Sequence, residues 1–295
     1  AKKIGYAIAE SELNIRREKI IKEVSISYIE LQVLNEKSAI YSGIDSLYSS
    51  ILKGAALRNS QGDISNLDLL NIKARQQQSR QQLNEIRYGT ENAMARLKIL
   101  MGLDSNFTVS ADITILDRTD RAFDSIPFIG QLKSQEALSN AVIRIEQNKL
   151  LPDFSVNYFI GTNFYENSKF YQGFETGISL PLFFGAQKSK IKASQIALDA
   201  ARQVSEYETE FLKTKQKELL NSCIKYKALI DYYQESGSRL YEEIIRTSKL
   251  SYENGEIDYF RFAASMETAL QIQLDYLDNL LNYTRVTLEL NYLSK

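Results

Sequence analysis

The sequence predicts a mainly helical protein built from two long antiparallel helical hairpins, with a β-hairpin before the second of them. Three observations support this fold class. An eighteen-residue pattern, LYSSILKGAALRNSQGDI at residues 47–64, returns without a gap as LYEEIIRTSKLSYENGEI at residues 240–257. Only 3 prolines interrupt 295 residues, and around residues 154–184 the apolar residues change from helical spacing to alternation. A repeat of this quality indicates two copies of one supersecondary unit.

The composition excludes several classes of function. Lys plus Arg is 36 and Asp plus Glu is 37, a balance that gives no support to nucleic-acid binding. The chain has no histidine and a single cysteine, Cys223, so Ser-His-Asp and Cys-His arrangements are impossible and the commonest metal ligand is missing. We therefore expect no catalytic residue, no cofactor and no metal site.

The first helical hairpin is predicted over residues 1–101, with its tip near residues 59–65. Residues 2–58 contain no proline and suit one long helix. The tip sequence, NSQGDIS, has the residues of a tight turn. A second helix is predicted over residues 66–101, and Gly102 follows it at a C-cap position. Its apolar seam comprises Leu83, Ile86, Ala93, Leu97 and Leu100.

Residues 102–130 are predicted to be an irregular connector, and residues 131–150 a shorter helix. The stretch FTVSADITIL alternates only weakly, and Pro127 is expected to stop any helix. Pro152 follows the end of the short helix. Together these segments connect the first helical hairpin to the β-hairpin.

Residues 151–184 are predicted to form a β-hairpin long enough to cross a bilayer. Two alternating stretches, FSVNYFIGTNFY and GFETGISLPLF, flank a polar loop, and a tilted membrane strand needs about 9–11 residues. A small soluble hairpin packed on helices is an equal alternative, although a two-stranded hairpin alone is marginal in water. The residues expected to face lipid are Phe154, Val156, Tyr158, Ile160, Ile178, Leu180 and Leu182.

The second helical hairpin is predicted over residues 185–295, with its tip near residues 252–258. A proline-free helix from Ala186 to Tyr252 would be roughly 100 Å long, so it needs neighbours along its length. The polar faces of the helices, as in QQQSRQQLNE at residues 76–85, are expected to meet water inside and outside a tube. The returning helix carries a leucine seam of Leu270, Leu274, Leu277, Leu281 and Leu288.

Four stretches resemble the TolC family of outer-membrane efflux proteins: LPDF at residues 151–154, LPLFFG at residues 180–185, and the tips SQGDI and NGEID. The resemblance covers nearly the whole chain. It implies a homotrimer whose long hairpins form an α-helical barrel, a tunnel through the periplasm. A transmembrane β-barrel, to which each protomer contributes strands, would top the tunnel. Because that family has two β-hairpins in each protomer, a first helix and a first β-hairpin are expected ahead of Ala1, or else a partner supplies them.

The resemblance also implies a function, a location and partners. The chain would be the passive exit duct of a tripartite efflux pump in the outer membrane of a Gram-negative bacterium, with most of its residues in the periplasm. It would conduct drugs, toxic compounds or metal ions, and would contact lipid, a periplasmic adaptor and an inner-membrane transporter. The alternatives are the duct of a type I protein secretion system and, outside the family, a soluble coiled-coil scaffold.

The helical tips are the candidate site, because in the family they narrow the tunnel and meet the adaptor. Asp68 aligns with Arg261 across the repeat, and such a pair between neighbouring hairpins could hold the tunnel closed. In the alternative interpretation the charges are solvated or cap helices, and the glycines serve only the turns. The candidate residues are Gly62, Asp63, Asp68, Gly255, Glu256, Asp258 and Arg261.

Overall fold

The structure is a computed structural model and describes residues 2–104, 107–110, 113, 127–162, 169–180 and 184–294. The described part is mainly helical. In chain order its elements are α1 (Lys2–Gln61), α2 (Asn66–Met101), α3 (Pro127–Asn148), β1 (Asp153–Thr162), β2 (Phe170–Ser179), α4 (Phe184–Tyr232), a π-helical turn (Tyr233–Gly237), α5 (Ser238–Glu253) and α6 (Tyr259–Ser294). Within these residues, none of the helices combines the length and the apolar character that crossing a membrane requires.

The chain divides into two compact units. The first comprises Ala1–Ile15 and Asp124–Lys213, and the second comprises Arg16–Phe123 and Thr214–Lys295. The first unit therefore holds α3, the β-hairpin and the beginning of α4, whereas the second holds both turns between long helices. All residues of the candidate tip site belong to the second unit.

In the first unit, α3 is joined to α4 by polar side chains. Arg202 Nε donates to Glu136 Oε1 at 2.9 Å, and Gln187 Nε2 donates to Glu146 Oε2 at 2.8 Å. The helix α3 begins at Pro127, so the expectation that this proline stops a helix is wrong. Proline is favoured at the first helical position, because the N–H that it lacks would have no partner there and its φ is already helical.

The strands β1 and β2 pair antiparallel along their full length, from Asp153 opposite Ser179 to Thr162 opposite Phe170. Because paired residues share a face of the sheet, the predicted alternation is confirmed. Leu180 follows β2 and is exposed, whereas Leu182 lies outside the described residues. One face of the hairpin carries Phe154, Val156, Tyr158, Ile160, Phe174 and Ile178, all of them exposed in the protomer.

In the second unit, buried apolar clusters link α2 to α1, α1 to α6, and α6 to α4. These contacts arise because each long helix carries apolar residues on the side that meets its neighbour. The clusters are Leu31 with Ala93 and Leu97 between α1 and α2, Ile29 and Val33 with Leu277 between α1 and α6, and Leu219, Cys223 and Ile230 with Leu280, Tyr283 and Leu290 between α4 and α6.

The buried face of α6 differs from the predicted leucine seam. Of the five seam leucines, Leu277 alone is buried, and the buried face continues through Leu280, Thr284 and Thr287. The Thr284 hydroxyl donates to the Leu280 carbonyl oxygen of its own helix at 2.9 Å. A threonine that satisfies its hydroxyl in this way can occupy a helix core.

Two further expectations for the helices need correction. The polar run at residues 76–85 does not face water throughout, because Gln76 and Ser79 are buried. Gln76 Nε2 donates to Ser49 Oγ of α1 at 2.6 Å, so part of this run joins the two helices of the first hairpin. In addition, the helix predicted from Ala186 to Tyr252 is interrupted by the π-helical turn.

Candidate functional site at the helical tips

The two tips share one backbone geometry. At the end of α1, the Gly62 N–H donates to Asn59 O at 3.1 Å and the Asp63 N–H donates to Arg58 O at 2.9 Å. The equivalent amides at the end of α5 make the same two bonds, at 3.1 and 2.8 Å. Gly62 and Gly255 have φ values of 83° and 74°, in the left-handed region that glycine adopts most readily. Both glycines therefore serve the turn, as Schellman-type helix ends require.

The helices that return from the tips begin with different caps. Ser65 and Asp68 form a reciprocal capping box, in which the Asp68 N–H donates to Ser65 Oγ at 3.1 Å and the Ser65 N–H donates to Asp68 Oδ2 at 3.2 Å. At the equivalent positions, Asp258 Oδ1 accepts the Arg261 N–H at 2.8 Å. Arg261 has no acceptor in its side chain and cannot complete a box. The acid at 68 and the base at 261 therefore correspond to two ways of starting a helix.

The pair between Asp68 and Arg261 stays a prediction. Asp68 Oδ2 accepts the Ser65 N–H and also the Ser65 hydroxyl, the latter at 2.8 Å, and the Arg261 side chain is exposed. A contact with the arginine of a neighbouring hairpin would therefore fall to Asp68 Oδ1. Since Ser65 and Asp258 provide the caps, the alternative that Asp63 and Glu256 cap the returning helices is wrong.

Each tip exposes apolar side chains at the same two positions of the repeat, and sequence reasoning missed them. Leu57 and Leu67 are 62% and 66% exposed on the first tip, and their counterparts Leu250 and Phe260 are 52% and 50% exposed on the second. Single exposed apolar side chains are common on protein surfaces, so what sets these apart is that they lie at equivalent positions of the two repeats. The sequence indicates one of these two positions, because Leu57 and Leu250 are matched within the repeat.

Behind the tips, one ion pair and two tyrosines join the helical hairpins. Arg75 of α2 pairs with Glu267 of α6, and both side chains are nearly half exposed. Burial raises the pKa of Tyr48, and the charge of Glu267 raises it further. Burial and the neighbouring Tyr48 raise the pKa of Tyr259, whose hydroxyl has no hydrogen-bond partner among the described residues. This side of the tips is therefore held by packed, neutral phenols beside one exposed ion pair.

The chemistry available at the tips follows from these side chains. Carboxylates, a guanidinium group and hydroxyls can form ion pairs and hydrogen bonds, and the exposed leucines and phenylalanine can pack against a helix. In the described part of the chain, no group of three or more Asp, Glu or Cys side chains could hold a metal ion. Cys223 is buried, with its Sγ 3.8 Å from Thr287 Oγ1.

Comparison with known proteins finds matches among solved structures only. Neither a family model nor a curated protein matches the chain. Among solved structures, a membrane protein from Pseudomonas aeruginosa matches with a TM-score of 0.85 and 15% identity, over 99% of this chain and 69% of that chain. The CmeC outer-membrane channel of Campylobacter jejuni matches with a TM-score of 0.83 and 16% identity, over 99% of this chain and 66% of that chain.

The open state of the MtrE outer-membrane channel of Neisseria gonorrhoeae is similar as well. Its TM-score is 0.85 at 13% identity, over 99% of this chain and 69% of that chain. The chain thus has the fold of TolC-like outer-membrane channels and spans about two thirds of the length of the structures it matches. The resemblance predicted from the sequence is confirmed at the level of the fold.

Proposed function

We propose that this chain acts, as a homotrimer, as the outer-membrane exit duct of a tripartite efflux pump in a Gram-negative bacterium. The observation that carries this proposal is the likeness in fold to bacterial outer-membrane channels over 99% of the chain. The duct would conduct small molecules passively, since energy would come from an inner-membrane transporter. Most of the chain would lie in the periplasm.

The β-hairpin supports a place in the membrane. Each strand has 10 residues, the length that a tilted strand needs to cross the hydrocarbon core. One face is largely apolar and exposed, whereas the other mixes small and polar residues such as Ser155, Asn157 and Glu175 with the exposed rings of Phe159 and Tyr171. In lipid every backbone N–H and C=O must be paired, so one hairpin would need strands on both of its edges. A barrel closed by several protomers would supply them.

An exposed stripe on α4 supports oligomerisation. Ile196, Val204, Tyr207 and Phe211 are exposed at helical spacing, and the last two rings stack with centroids 6.4 Å apart. Leaving a row of four large apolar side chains exposed to water is unfavourable. We propose that it packs against the neighbouring protomer of the trimer.

The repeated apolar positions at the tips support a contact with the adaptor. Leu57 and Leu67 on one tip, and Leu250 and Phe260 on the other, present equivalent side chains. Because both tips present them, one helical partner could use the same contacts on each hairpin. The charged tip residues Asp63 and Glu256 would then lie at the polar rim of this contact.

Asp68 and Arg261 would act between neighbouring copies, as a contact that holds the tunnel closed. A swap Asp68→Arg, measured by single-channel conductance, tests this proposal. We expect a larger or more frequently open channel than the wild type shows. The matched control is Asp68→Asn, which removes the charge but keeps an acceptor for the capping box. If the conductance of Asp68→Arg equals that of the wild type, the proposed pair does not close the tunnel.

The first experiment is particle imaging of the full-length protein purified in detergent, with its mass and symmetry as the readout. We expect a threefold particle with a detergent belt around the β-hairpins. Ile160→Asp on the apolar face should abolish assembly in the membrane, whereas Asn157→Asp on the opposite face, the matched control, should not. A soluble dimer without a belt would overturn the proposed function.

A further inference from the structure

We propose that a basic collar at the base of the β-hairpin binds the phosphate groups of anionic phospholipids, in the membrane leaflet that adjoins the helices. The inference rests on the proposed function, because only a hairpin that lies in a membrane would bring lipid headgroups to this level. It deepens that function by naming the class of lipid. The collar comprises Arg144 and Lys149 around the end of α3, and Lys188, Lys190 and Lys192 at the start of α4.

The charge of the chain is unevenly distributed around the hairpin. Residues 144–153 and 180–198, which include the base of both strands, hold five cations but only two acids, Glu146 and Asp153. The whole chain, in contrast, balances 36 Lys and Arg against 37 Asp and Glu. Charge of one sign concentrated in one place raises the local concentration of oppositely charged groups. The base of the hairpin therefore attracts anions.

The lysines of α4 are available to an anion from outside the protein. Glu146 Oε1 accepts a hydrogen bond from Lys149 Nζ at 2.6 Å, and Glu146 Oε2 accepts one from Gln187 Nε2 at 2.8 Å, so this acid is already engaged. The three collar lysines of α4 are exposed, and among the described residues none of them has an ion-pair partner.

The same helix carries lysines of a different kind further along. Between residues 206 and 218, three lysines alternate with four glutamates, and Lys213 pairs with Glu210 at 2.6 Å. No acid occurs between Phe184 and Leu198. The absence of compensating charge is thus a property of the end of α4 that adjoins the hairpin, and not of the whole helix.

Exposed apolar side chains lie between the strands and the collar. Leu151, Leu180 and Phe184 are 60%, 60% and 47% exposed. The collar lysines of α4 follow Phe184 within about 12 Å along the helix. Apolar side chains followed by cations match the order of hydrocarbon and headgroup layers at a membrane surface.

Helix geometry directs these lysines toward the hairpin. Every Cα–Cβ bond of an α-helix tilts toward its N-terminus, and the N-terminus of α4 adjoins β2. The long stem of a lysine can follow apolar surface while its ammonium group reaches the headgroups, where it binds phosphate as a point charge. A zwitterionic headgroup brings its own cation, so the collar should select lipids with a net negative charge.

The test measures lipid selectivity of the full-length protein in phosphatidylcholine vesicles. Traces of spin-labelled phosphatidylglycerol or spin-labelled phosphatidylcholine are added, and electron paramagnetic resonance gives the fraction of each that is immobilised next to the protein. We expect the wild type to select phosphatidylglycerol about fivefold, the effect of one lysine near an anionic surface. Selectivity should fall close to equality in a collar variant that combines Lys188→Gln, Lys190→Gln and Lys192→Gln.

The matched control removes the same charge at the same spacing from the same helix. It combines Lys213→Gln, Lys215→Gln and Lys217→Gln, about seven turns further along α4, and should select phosphatidylglycerol as the wild type does. Inorganic phosphate should weaken the selectivity no more than sodium chloride of equal ionic strength. A stronger effect of inorganic phosphate would mean a site for free phosphate and would overturn the proposal.

Two other results would overturn the collar: no selectivity in the wild type, or unaltered selectivity in the collar variant. The second result would hold even if the variant channel changed its preference between cations and anions, because the lysines would then face the lumen. If the collar variant fails to assemble, its three single variants decide the question.

Failure of the collar can be told apart from failure of the proposed function. A protein that needs no detergent and enters no vesicle would contradict both. A threefold particle that enters vesicles but does not distinguish phosphatidylglycerol from phosphatidylcholine would contradict the collar alone.

Discussion

The two helical tips have the same backbone but are held by different side chains. In the first tip, Asn59 Nδ2 donates to Ile64 O across the turn at 3.0 Å. At the position equivalent to Asn59, the second tip has Tyr252, which stacks on Phe262 with ring centroids 4.8 Å apart. The glycines, the helix-ending bonds and the exposed apolar positions are shared. The repeat has thus kept the turn and its outer surface, while the interior has changed from polar to aromatic.

The largest difference between the tips should appear when the buried apolar residue is removed. Phe262 is 1% exposed, and its counterpart Leu69 is only partly buried. Phe262→Ala should cost about 3–5 kcal/mol, whereas Leu69→Ala should cost about 1–2 kcal/mol. Native-state hydrogen exchange of the amides in each hairpin measures the free energy of local opening. Equal losses in the two hairpins would show that the aromatic stack is not what holds the second tip.

A smaller difference should appear at the third residue of the returning helices. Asp68→Ala removes half of the capping box and should weaken the start of α2 by about 1 kcal/mol. Arg261→Ala, the matched control, leaves the bond from its N–H to Asp258 in place and should change the stability of α6 by less than about 0.5 kcal/mol. Exchange rates of the amides in the first turn of each helix measure both effects. A comparable loss for Arg261→Ala would mean that its side chain has a partner.

Local sequence signals predicted the turns and the β-hairpin well, because the residues that determine these features lie within a few positions of one another. Gly62, Gly102 and Gly255 each sit where a helix ends and a positive φ is needed. Alternation over β1 and β2 fixes which residues share a face, since the side-chain period of a strand is two. Such features depend little on what packs against them.

The features that were missed depend on packing between distant parts of the chain. The buried face of α6 includes Thr284 and Thr287, which a search for leucine spacing passes over. Tyr233 of the π-helical turn stacks on Tyr276 of α6, a partner that the local sequence of residues 233–237 does not reveal. Asp68 was selected for a pair with Arg261, which stays a prediction, and its bond with Ser65 depends on where α2 begins. The exposure of Leu67 and Phe260 likewise becomes visible only once neighbouring positions are seen to be buried.

The smallest effect concerns Tyr259, whose counterpart in the first hairpin is Asn66, a residue that does not titrate. Because burial raises the pKa of Tyr259 in the folded protein, the unfolded chain loses this proton first, near pH 10. The contribution of Tyr259 to the free energy of unfolding is fully present below that pH, and it is lost as the pH rises toward the pKa of the folded state. After allowance for solvent screening, the loss should be on the order of 0.5 kcal/mol by about pH 11.

Tyr259→Phe should remove this alkaline loss and leave stability at neutral pH unchanged or slightly higher, because the buried hydroxyl has no hydrogen-bond partner among the described residues. The measurement is the opening free energy of the amides in α5 and α6 between about pH 8 and 11. Amides of the first tip, at residues 59–68, provide the internal control. If the wild type and Tyr259→Phe lose stability with the same slope, the Tyr259 phenol is not what makes the second hairpin more sensitive to alkali than the first.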